Sequence, residues 1–126
     1  MSLHTTFDRQ KYLNLETFRK NGNGVKTPVW FVGEGDALFV RTIANSGKVK
    51  RIRNQQLVHI APCKMDGALL GDWVEASSRL VTDPEIDRKV DRLLGKKYRF
   101  MKFLFGFASS LQKQKHIIIE INAAEK

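Results

Sequence analysis

Four cationic side chains crowd a short stretch of the chain, directly after a serine and a glycine. The cations are Lys48, Lys50, Arg51 and Arg53. Ser46 suits the N-cap of a short helix over GKVKRIRN, and Gly47 leaves room for an anion to approach. The first N–H groups of a helix are unpaired and carry partial positive charge, so with a hydroxyl and cations they suit a phosphate group. The pattern predicts a phosphate site, and a solvated basic helix is the alternative that the residues alone leave open.

Aromatic residues stand on several strands predicted near this stretch, namely Trp30, Phe31, Phe39 and Trp73. Small-molecule sites are mostly apolar with a few placed polar groups, so such rings could line a pocket. We expect the phenylalanines to pack in the core. The tryptophans are more open candidates, because a buried indole N–H needs a partner.

No side chains form a recognisable catalytic or metal-binding group. The histidines His4, His59 and His116 stand alone, and no zinc-ligand or nucleophile motif is present. We therefore predict no catalytic side chain and no metal site, and we expect His59 to be structural. An enzyme built from this chain would rely on a bound cofactor for its chemistry.

Composition places the chain among single-domain globular proteins with anionic partners. Lys and Arg number 22 against 13 Asp and Glu, which gives a net charge of +9 over 126 residues. Nucleic acid, a membrane surface or a phosphorylated small molecule could each meet that charge. No apolar run suits a membrane span and the N-terminal residues have no signal-peptide pattern. The single cysteine, Cys63, is expected to be a buried apolar residue, and we predict a cytoplasmic protein.

Alternation of apolar and polar residues predicts six strands. They cover residues 12–20, 25–32, 37–43, 57–63, part of 69–81, and 116–122. The turns NGNG at 21–24 and GEGD at 33–36 join the first three strands into a predicted antiparallel meander. Pro28 cannot donate to a strand ladder, so it marks an edge or a bulge.

Helical periodicity predicts a second helix from Pro84 to Gly95, and residues 98–114 are expected to be helical in part. Within them the Phe-rich segment 100–107 favours an oligomer interface over a membrane contact. We expect one domain over 1–126, with residues 1–7 flexible and residues 82–114 as a helical insertion before the last strand. The element order favours a mainly β protein, a small antiparallel barrel with flanking helices, over an open α+β sandwich.

Three segments carry a resemblance to a known family: KYLNLETFRKNGNGVKTPVWFV, FVRTIANSGKVKRIRNQQLVHIAPC and GDWVEASSRLV. They resemble the pyridoxamine 5'-phosphate oxidase-like split-barrel family, in its small single-domain branch of flavin and deazaflavin oxidoreductases. The resemblance implies a six-stranded antiparallel split β-barrel that works as a homodimer, with the cofactor in a groove between protomers. It implies FMN as cofactor, or alternatively an F-420 type deazaflavin, and hydride transfer to a small-molecule substrate.

The resemblance also assigns cofactor-binding roles to residues. The strand Lys26, Thr27, Pro28, Val29 and Trp30 would run along the ring system, with backbone atoms near its pyrimidine edge. Thr42 would lie near the phosphate end. Ser46, Gly47 and Lys48 would grip the phosphate, assisted by Lys50 or Arg51, and Trp73 would contact the ring from the other subunit.

One departure from the family limits the prediction. True pyridoxamine phosphate oxidases carry C-terminal Arg and His residues for their substrate, and the terminal HIIIEINAAEK offers no such segment. We therefore do not predict vitamin B6 oxidation. Two alternatives stay open, a flavin or tetrapyrrole carrier without turnover and, less favoured, a basic nucleic-acid-binding barrel.

Overall fold

The computed structural model describes residues 3–99 and 115–124. The strands are β1 Tyr12–Phe18, β2 Gly24–Val29, β3 Val32–Glu34, β4 Ala37–Ile43, β5 Leu57–Cys63, β6 Val74–Val81 and β7 His116–Ala123. The helices are α1 Leu3–Phe7, α2 Gly47–Asn54 and α3 Pro84–Lys97. None of these helices is both long enough and apolar enough to cross a bilayer, within the part of the chain that the structure describes.

The strands form one antiparallel sheet in the order β2-β1-β5-β6-β7-β4-β3. Strands β2 and β3 stand at opposite edges of this sheet, yet only Trp30 and Phe31 separate them along the chain. Three peptide steps reach at most about 11 Å, so the two edges must lie close together and the sheet must curl. This confirms the predicted mainly β, antiparallel split barrel, with seven strands in the described residues where the sequence predicts six.

The break between β2 and β3 is a correction to the sequence prediction. A single strand over 25–32 and a three-stranded meander are wrong, because the chain leaves one edge of the sheet at Trp30 and joins the other edge at Val32. At the break the Trp30 ring stacks on Tyr98, with ring centroids 4.3 Å apart. The edge position predicted from Pro28 is confirmed, since β2 has β1 as its one neighbour.

The main core fills the inside of the curled sheet. Its strand residues are Leu13, Leu15, Leu38, Val40, Val58, Ile60, Ala76, Ile119 and Ile121. Helix α2 packs on this core through Ile52, and its second inward residue, Val49, is fully buried. Leu13 and Leu15 of β1 share the inner face of the sheet and belong to this core.

The N-terminal residues differ from the prediction of a flexible segment over 1–7. Residues Leu3–Phe7 form helix α1, and both Leu3 and Phe7 are buried in the main core. Residues four apart lie on one face of a helix, so this short segment has an apolar face that the barrel covers. An isolated helix of five residues is not stable in water, but burial of the two side chains stabilises this turn.

Helix α3 lies on the outside of the sheet and forms a second core with it. Val90 and Leu94 of α3 pack there with Ile118 and Val32. The predicted start is confirmed, since the Asp83 side chain accepts a hydrogen bond from the Glu85 N–H. The predicted end at Gly95 is wrong, because the helix continues to Lys97, ahead of the buried Tyr98. The Phe-rich segment 100–107 and most of the predicted helix over 98–114 lie outside the described residues.

The turn of the β1–β2 hairpin contains a glycine, Gly22, whose backbone conformation can be tested by substitution. Gly22 has φ +90°, and a Cβ built there would meet no atom within 4 Å. Gly22→Ala should therefore lower the free energy of unfolding by about 1 kcal/mol, because an L side chain disfavours this backbone conformation. Urea denaturation measures the change. Gly22→Asn, which tolerates positive φ better, should recover part of the loss, and an alanine variant as stable as the wild type would contradict the assignment.

Candidate functional site

The start of helix α2 leaves a serine hydroxyl unpaired. Ser46 occupies the N-cap, as predicted, with extended backbone at φ −70° and ψ 162°, but its side chain makes no capping hydrogen bond. Its Oγ is buried and has no hydrogen-bond partner among the described residues. A serine at this position normally accepts from a first-turn amide, and a buried hydroxyl without a partner is costly. The hydroxyl therefore has no partner of its own within the described residues.

Arg51 lies one helical turn further on and reaches back to the same place. Its Nε donates to Thr17 Oγ1 of strand β1 at 2.6 Å, which fixes the guanidinium. A Cβ added at Gly47 would lie 2.8 Å from Arg51 Nη1. A side chain at position 47 would thus displace the guanidinium, and this close approach accounts for the glycine.

Three cations influence one another at this place, and we call them the Arg19–Lys48–Arg51 cluster. Burial lowers the pKa of Lys48, and the charge of Arg51 lowers it further. Burial, followed by the charge of Arg19, likewise lowers the pKa of Arg51. No acid in the described ranges forms an ion pair with any of the three. Uncompensated like charges of this kind are stabilised by a bound anion.

Arg19 and Thr17 are the members of the site that the sequence analysis does not single out. The period-2 alternation of β1 already places Thr17 on the face that carries Leu13 and Leu15, and Arg19 follows directly after the strand ends at Phe18. What it cannot show is that α2 crosses that face and brings Arg51 to Thr17. Arg19 also lines a cavity of about 600 Å³ beside the C-terminal end of α2, which neither Lys48 nor Arg51 lines.

Lys50 is not among the cations whose charges shift the pKa values of Lys48 and Arg51. It lines another cavity, of about 460 Å³, together with Ile43, Ala44, Asn45, Arg53 and Lys115. Neither Lys48 nor Arg51 lines that cavity. Of the two assisting cations that the resemblance offers, Arg51 is therefore the one that the geometry brings to the helix start.

Strand β2, which carries the residues expected along the ring system, presents alternating faces. Thr27 pairs with Leu15, and Val29 packs against the inner core. The side chains of Lys26 and Pro28 lie on the opposite, outer face. Since β2 is an edge strand, half of its backbone groups point away from β1 and have no strand partner in the described sheet. The Lys26 Nζ lies 5.4 Å from the centroid of the Trp73 ring, so these two predicted residues are brought together within one chain.

Two other predicted residues lie in different surroundings. Trp30 stacks on Tyr98 in the outer core, and its ring is only partly exposed. Thr42 pairs with Ile117 near the end of β4, four residues before Ser46. The structure thus places Thr42 close to the helix start along the chain and gives Trp30 a packing role.

Asn14 is a second buried polar residue that the sequence does not single out. Its Nδ2 donates to the Gly67 carbonyl at 3.1 Å, and its Oδ1 is buried without a partner among the described residues. Asn14 pairs with Pro28 across the β1–β2 ladder. Both unpaired buried side-chain atoms in the described residues therefore belong to, or lie beside, the elements of the predicted cofactor site.

The remaining candidates for chemistry have structural surroundings. His59 Nδ1 lies 3.2 Å from Glu16 Oε1, and its ring meets the Phe18 ring edge to face. Cys63 is 2% exposed, and burial raises the pKa of its thiol. No group of three or more His, Cys, Asp or Glu side chains could hold a metal ion in the ranges that the structure describes.

No known family model matches the sequence, and no curated protein matches it significantly. Solved structures match the fold over nearly the whole chain. HutZ, the heme storage protein from Vibrio cholerae, has a TM-score of 0.70 at 17% identity, covering 100% of this chain and 93% of HutZ. A candidate pyridoxamine 5'-phosphate oxidase from Listeria innocua has a TM-score of 0.64 at 11% identity, with 93% and 86% covered. An F420 reductase has a TM-score of 0.61 at 16% identity, with 97% and 93% covered.

These similarities define the class of protein to which the fold corresponds. The chain has the pyridoxamine 5'-phosphate oxidase-like split-barrel fold, and proteins with this fold include a heme storage protein and an F420 reductase. The shared architecture does not by itself select among these activities, because one fold hosts several functions.

Proposed function

We propose that this protein is a cytoplasmic oxidoreductase that uses FMN, or alternatively an F-420 type deazaflavin, and binds the cofactor's phosphate at the start of α2. The observation that carries the proposal is the buried, unpartnered Ser46 Oγ next to the Arg19–Lys48–Arg51 cluster. A phosphate supplies acceptor oxygens to the hydroxyl and negative charge to the cations. A single phosphate group would therefore both accept a hydrogen bond from the unpaired Ser46 hydroxyl and compensate the positive charge of the cluster.

Each residue has a distinct part in holding the phosphate. The Ser46 hydroxyl and the first-turn amides of α2 donate hydrogen bonds, and Gly47 keeps that approach open. Lys48 and Arg51 provide charge-assisted bonds, each worth about 1.5–3 kcal/mol. Thr17 orients Arg51 through its hydroxyl. The bound cofactor would supply hydride transfer to an electron-poor small molecule, and the protein would supply position and electrostatics.

The ring system would lie along the free edge of β2. Backbone groups of residues 26–30 that have no strand partner can meet its polar edge, as the resemblance implies. Lys26 and Trp73 lie on the same outer face, where a ring could contact either side chain. Because an edge strand open to solvent invites another chain, this placement also supports a cofactor site completed by a second protomer.

The loop between β5 and β6 supports the homodimer. Its large apolar side chains are exposed, with Met65 at 66%, Leu69 at 46% and Leu70 at 54%. The loop ends at Trp73, and Gly67 within it approaches Pro28 of β2. An exposed apolar group next to a binding edge is typical of a subunit interface, so we propose that a second copy covers it.

A second candidate function is a carrier that binds a flavin or tetrapyrrole without turnover. It is favoured by the fold similarity to HutZ, a heme storage protein. The two candidates share the α2 phosphate site when the ligand is a flavin, so binding alone does not separate them. Reduction and reoxidation of the bound ligand do.

The experiment is an absorption spectrum of the purified protein, followed by anaerobic titration with FMN and with F-420. We expect one of them to bind with a Kd of about 1 μM or lower, as interactions of this number allow. Stopped-flow reduction by a nicotinamide or by reduced deazaflavin, then reoxidation by an electron-poor acceptor, would support the oxidoreductase. A bound cofactor that cannot be reduced supports the carrier. Failure of both cofactors to bind after refolding would overturn the proposal.

Lys48→Ala tests the position of the phosphate. Loss of one charge-assisted hydrogen bond should weaken cofactor binding by about tenfold or more. Lys50→Ala is the matched control, because Lys50 belongs to the same helix but lines a different cavity. Its affinity should stay within about twofold of the wild type. Equal affinity in the Lys48 variant, or a loss confined to the Lys50 variant, would place the phosphate elsewhere.

A further inference from the structure

A separate cavity of about 420 Å³ lies between the end of α1, strand β3 and the C-terminal end of α3. Its apolar walls include Phe7, Phe31 and Leu93, and the cations that line it are Arg9, Lys96 and Lys97. None of the residues of the α2 phosphate site lines this cavity. Its volume falls in the range of pockets for small molecules, about 300–1,000 Å³.

The ammonium group of Lys97 has neutral partners. It lies 3.5 Å from the centroid of the Phe31 ring and donates to the Phe31 carbonyl at 3.0 Å. Within residues 3–99 and 115–124 it forms no ion pair. Lys97 is exposed as a residue, although desolvation around its ammonium group lowers its pKa to about 8 and the charge of Asp8 only partly opposes that shift. A cation held against an aromatic face without a carboxylate is one that a ligand anion would stabilise.

The other charged residues of the cavity add to this imbalance. Arg9 and Lys96 form no ion pair within the described ranges, and Asp8 is the one acid that lines the cavity. Three cations against one acid give 3 − 1 = +2 at the cavity. The charge therefore selects an anion, whereas the phenyl and leucyl walls select an apolar body.

We propose that this cavity binds a small organic carboxylate, with its carboxylate paired to Lys97 and its apolar part against Phe7, Phe31 and Leu93. Inorganic phosphate would satisfy the charge but leave the apolar walls in contact with water. An uncharged aromatic compound would cover the walls but leave Lys97 without a counter-ion. The site is independent of the proposed cofactor function, because it uses different residues and different elements.

The test uses benzoate and its uncharged analogue benzyl alcohol, each titrated into the full chain and followed by amide NMR shifts. Benzoate should bind at least about tenfold more tightly than benzyl alcohol, since it gains one charge-assisted bond. Its shifts should centre on residues 7–9, 31–33 and 93–97. Equal affinities for the two compounds, or benzoate shifts centred on α2, would overturn the proposal.

Variants assign the preference to Lys97. Lys97→Met should abolish the tenfold preference for benzoate, whereas Lys97→Arg, which keeps the charge, should retain most of it. Arg92→Met is the matched control, because Arg92 is exposed on the same helix and does not line the cavity. Thermal unfolding and circular dichroism verify that each variant is folded. A methionine variant that is folded and still prefers benzoate as the wild type does would refute the assignment.

Discussion

Arg51→Met is expected to weaken cofactor binding by at least about tenfold, while the stability of the ligand-free protein changes little. The loss in affinity follows from removing a cation whose Nη1 lies 2.8 Å from the position of a Cβ built at Gly47, at the helix start. Two effects on the free protein oppose each other. The variant loses the 2.6 Å hydrogen bond to Thr17, but it also removes repulsion from Arg19 and Lys48. Because these two effects on the free energy of unfolding oppose each other, Arg51 contributes to ligand binding and not to the stability of the free protein.

Arg53→Met is the matched control for this prediction. It makes the same change in charge on the same helix, but Arg53 is exposed and lines the cavity that contains Lys50. Its cofactor affinity should stay within about threefold of the wild type after the small change in net charge. Isothermal titration gives the affinities and urea denaturation gives the stabilities. If Arg51→Met binds as well as Arg53→Met does, the cluster is not the phosphate site.

Tyr98→Phe is expected to lower the free energy of unfolding by about 1–3 kcal/mol. The Tyr98 hydroxyl accepts a hydrogen bond from the Phe31 N–H at 3.1 Å, and the carbonyls of Lys11 and Phe31 lie 2.7 and 3.0 Å away as acceptors for its proton. Phenylalanine keeps the ring that stacks on Trp30 but leaves the buried Phe31 N–H without its partner. The unpaired group lies where the two edges of the sheet meet, so the whole barrel is affected.

Urea denaturation of Tyr98→Phe and of a Tyr12→Phe control checks this expectation. The Tyr12 hydroxyl makes no hydrogen bond within the described residues, so its removal should be nearly neutral. The slope of the free energy against urea should be unchanged, since the folded state keeps its shape. A Tyr98→Phe midpoint equal to that of the wild type would show that the hydroxyl does not stabilise the closure.

The same hydroxyl gives a pH dependence with a defined sign. Burial raises the pKa of Tyr98 far above its ordinary value near 10, so the folded protein keeps the proton under conditions where the unfolded chain loses it. Above about pH 10 the folded state therefore binds more protons than the unfolded state, and stability falls as pH rises. The alkaline loss of stability should be smaller in Tyr98→Phe than in the wild type, and parallel curves would contradict this.

Local pattern is sufficient for much of the fold. Strands β4 and β5 have the bounds that alternation predicts, and α2 covers GKVKRIRN with Ser46 before it. These elements depend on neighbours within a few residues, which a sequence shows directly. The break at Trp30 depends instead on Tyr98, whose hydrogen bond to Phe31 joins residues 67 positions apart. Such a contact has no local signature, and the β-branched and aromatic residues over 25–32 therefore predict an unbroken strand.

The candidate site likewise contains some residues that local sequence spacing reveals and others that only tertiary contacts bring together. The spacing in the sequence reveals a serine, a glycine and several cations at the start of a helix. This pattern is sufficient to predict a phosphate ligand. The contribution of Arg19 and Thr17 requires β1 to pass beneath α2, a contact over 34 residues between Thr17 and Arg51. The separation of Lys50 from Arg51 also requires the three-dimensional position of Lys115, which shares a cavity with Lys50.

The most direct test of the phosphate site compares FMN with riboflavin, which has the same ring system and lacks the phosphate. Because two or more charge-assisted bonds would be lost, we expect FMN to bind at least about 100-fold more tightly, and Lys48→Ala and Arg51→Met to reduce that ratio. If the deazaflavin is the cofactor, the same comparison is made with its chromophore stripped of phosphate. Equal affinities of the wild-type protein for the phosphorylated and unphosphorylated compounds would contradict a phosphate site at the start of α2.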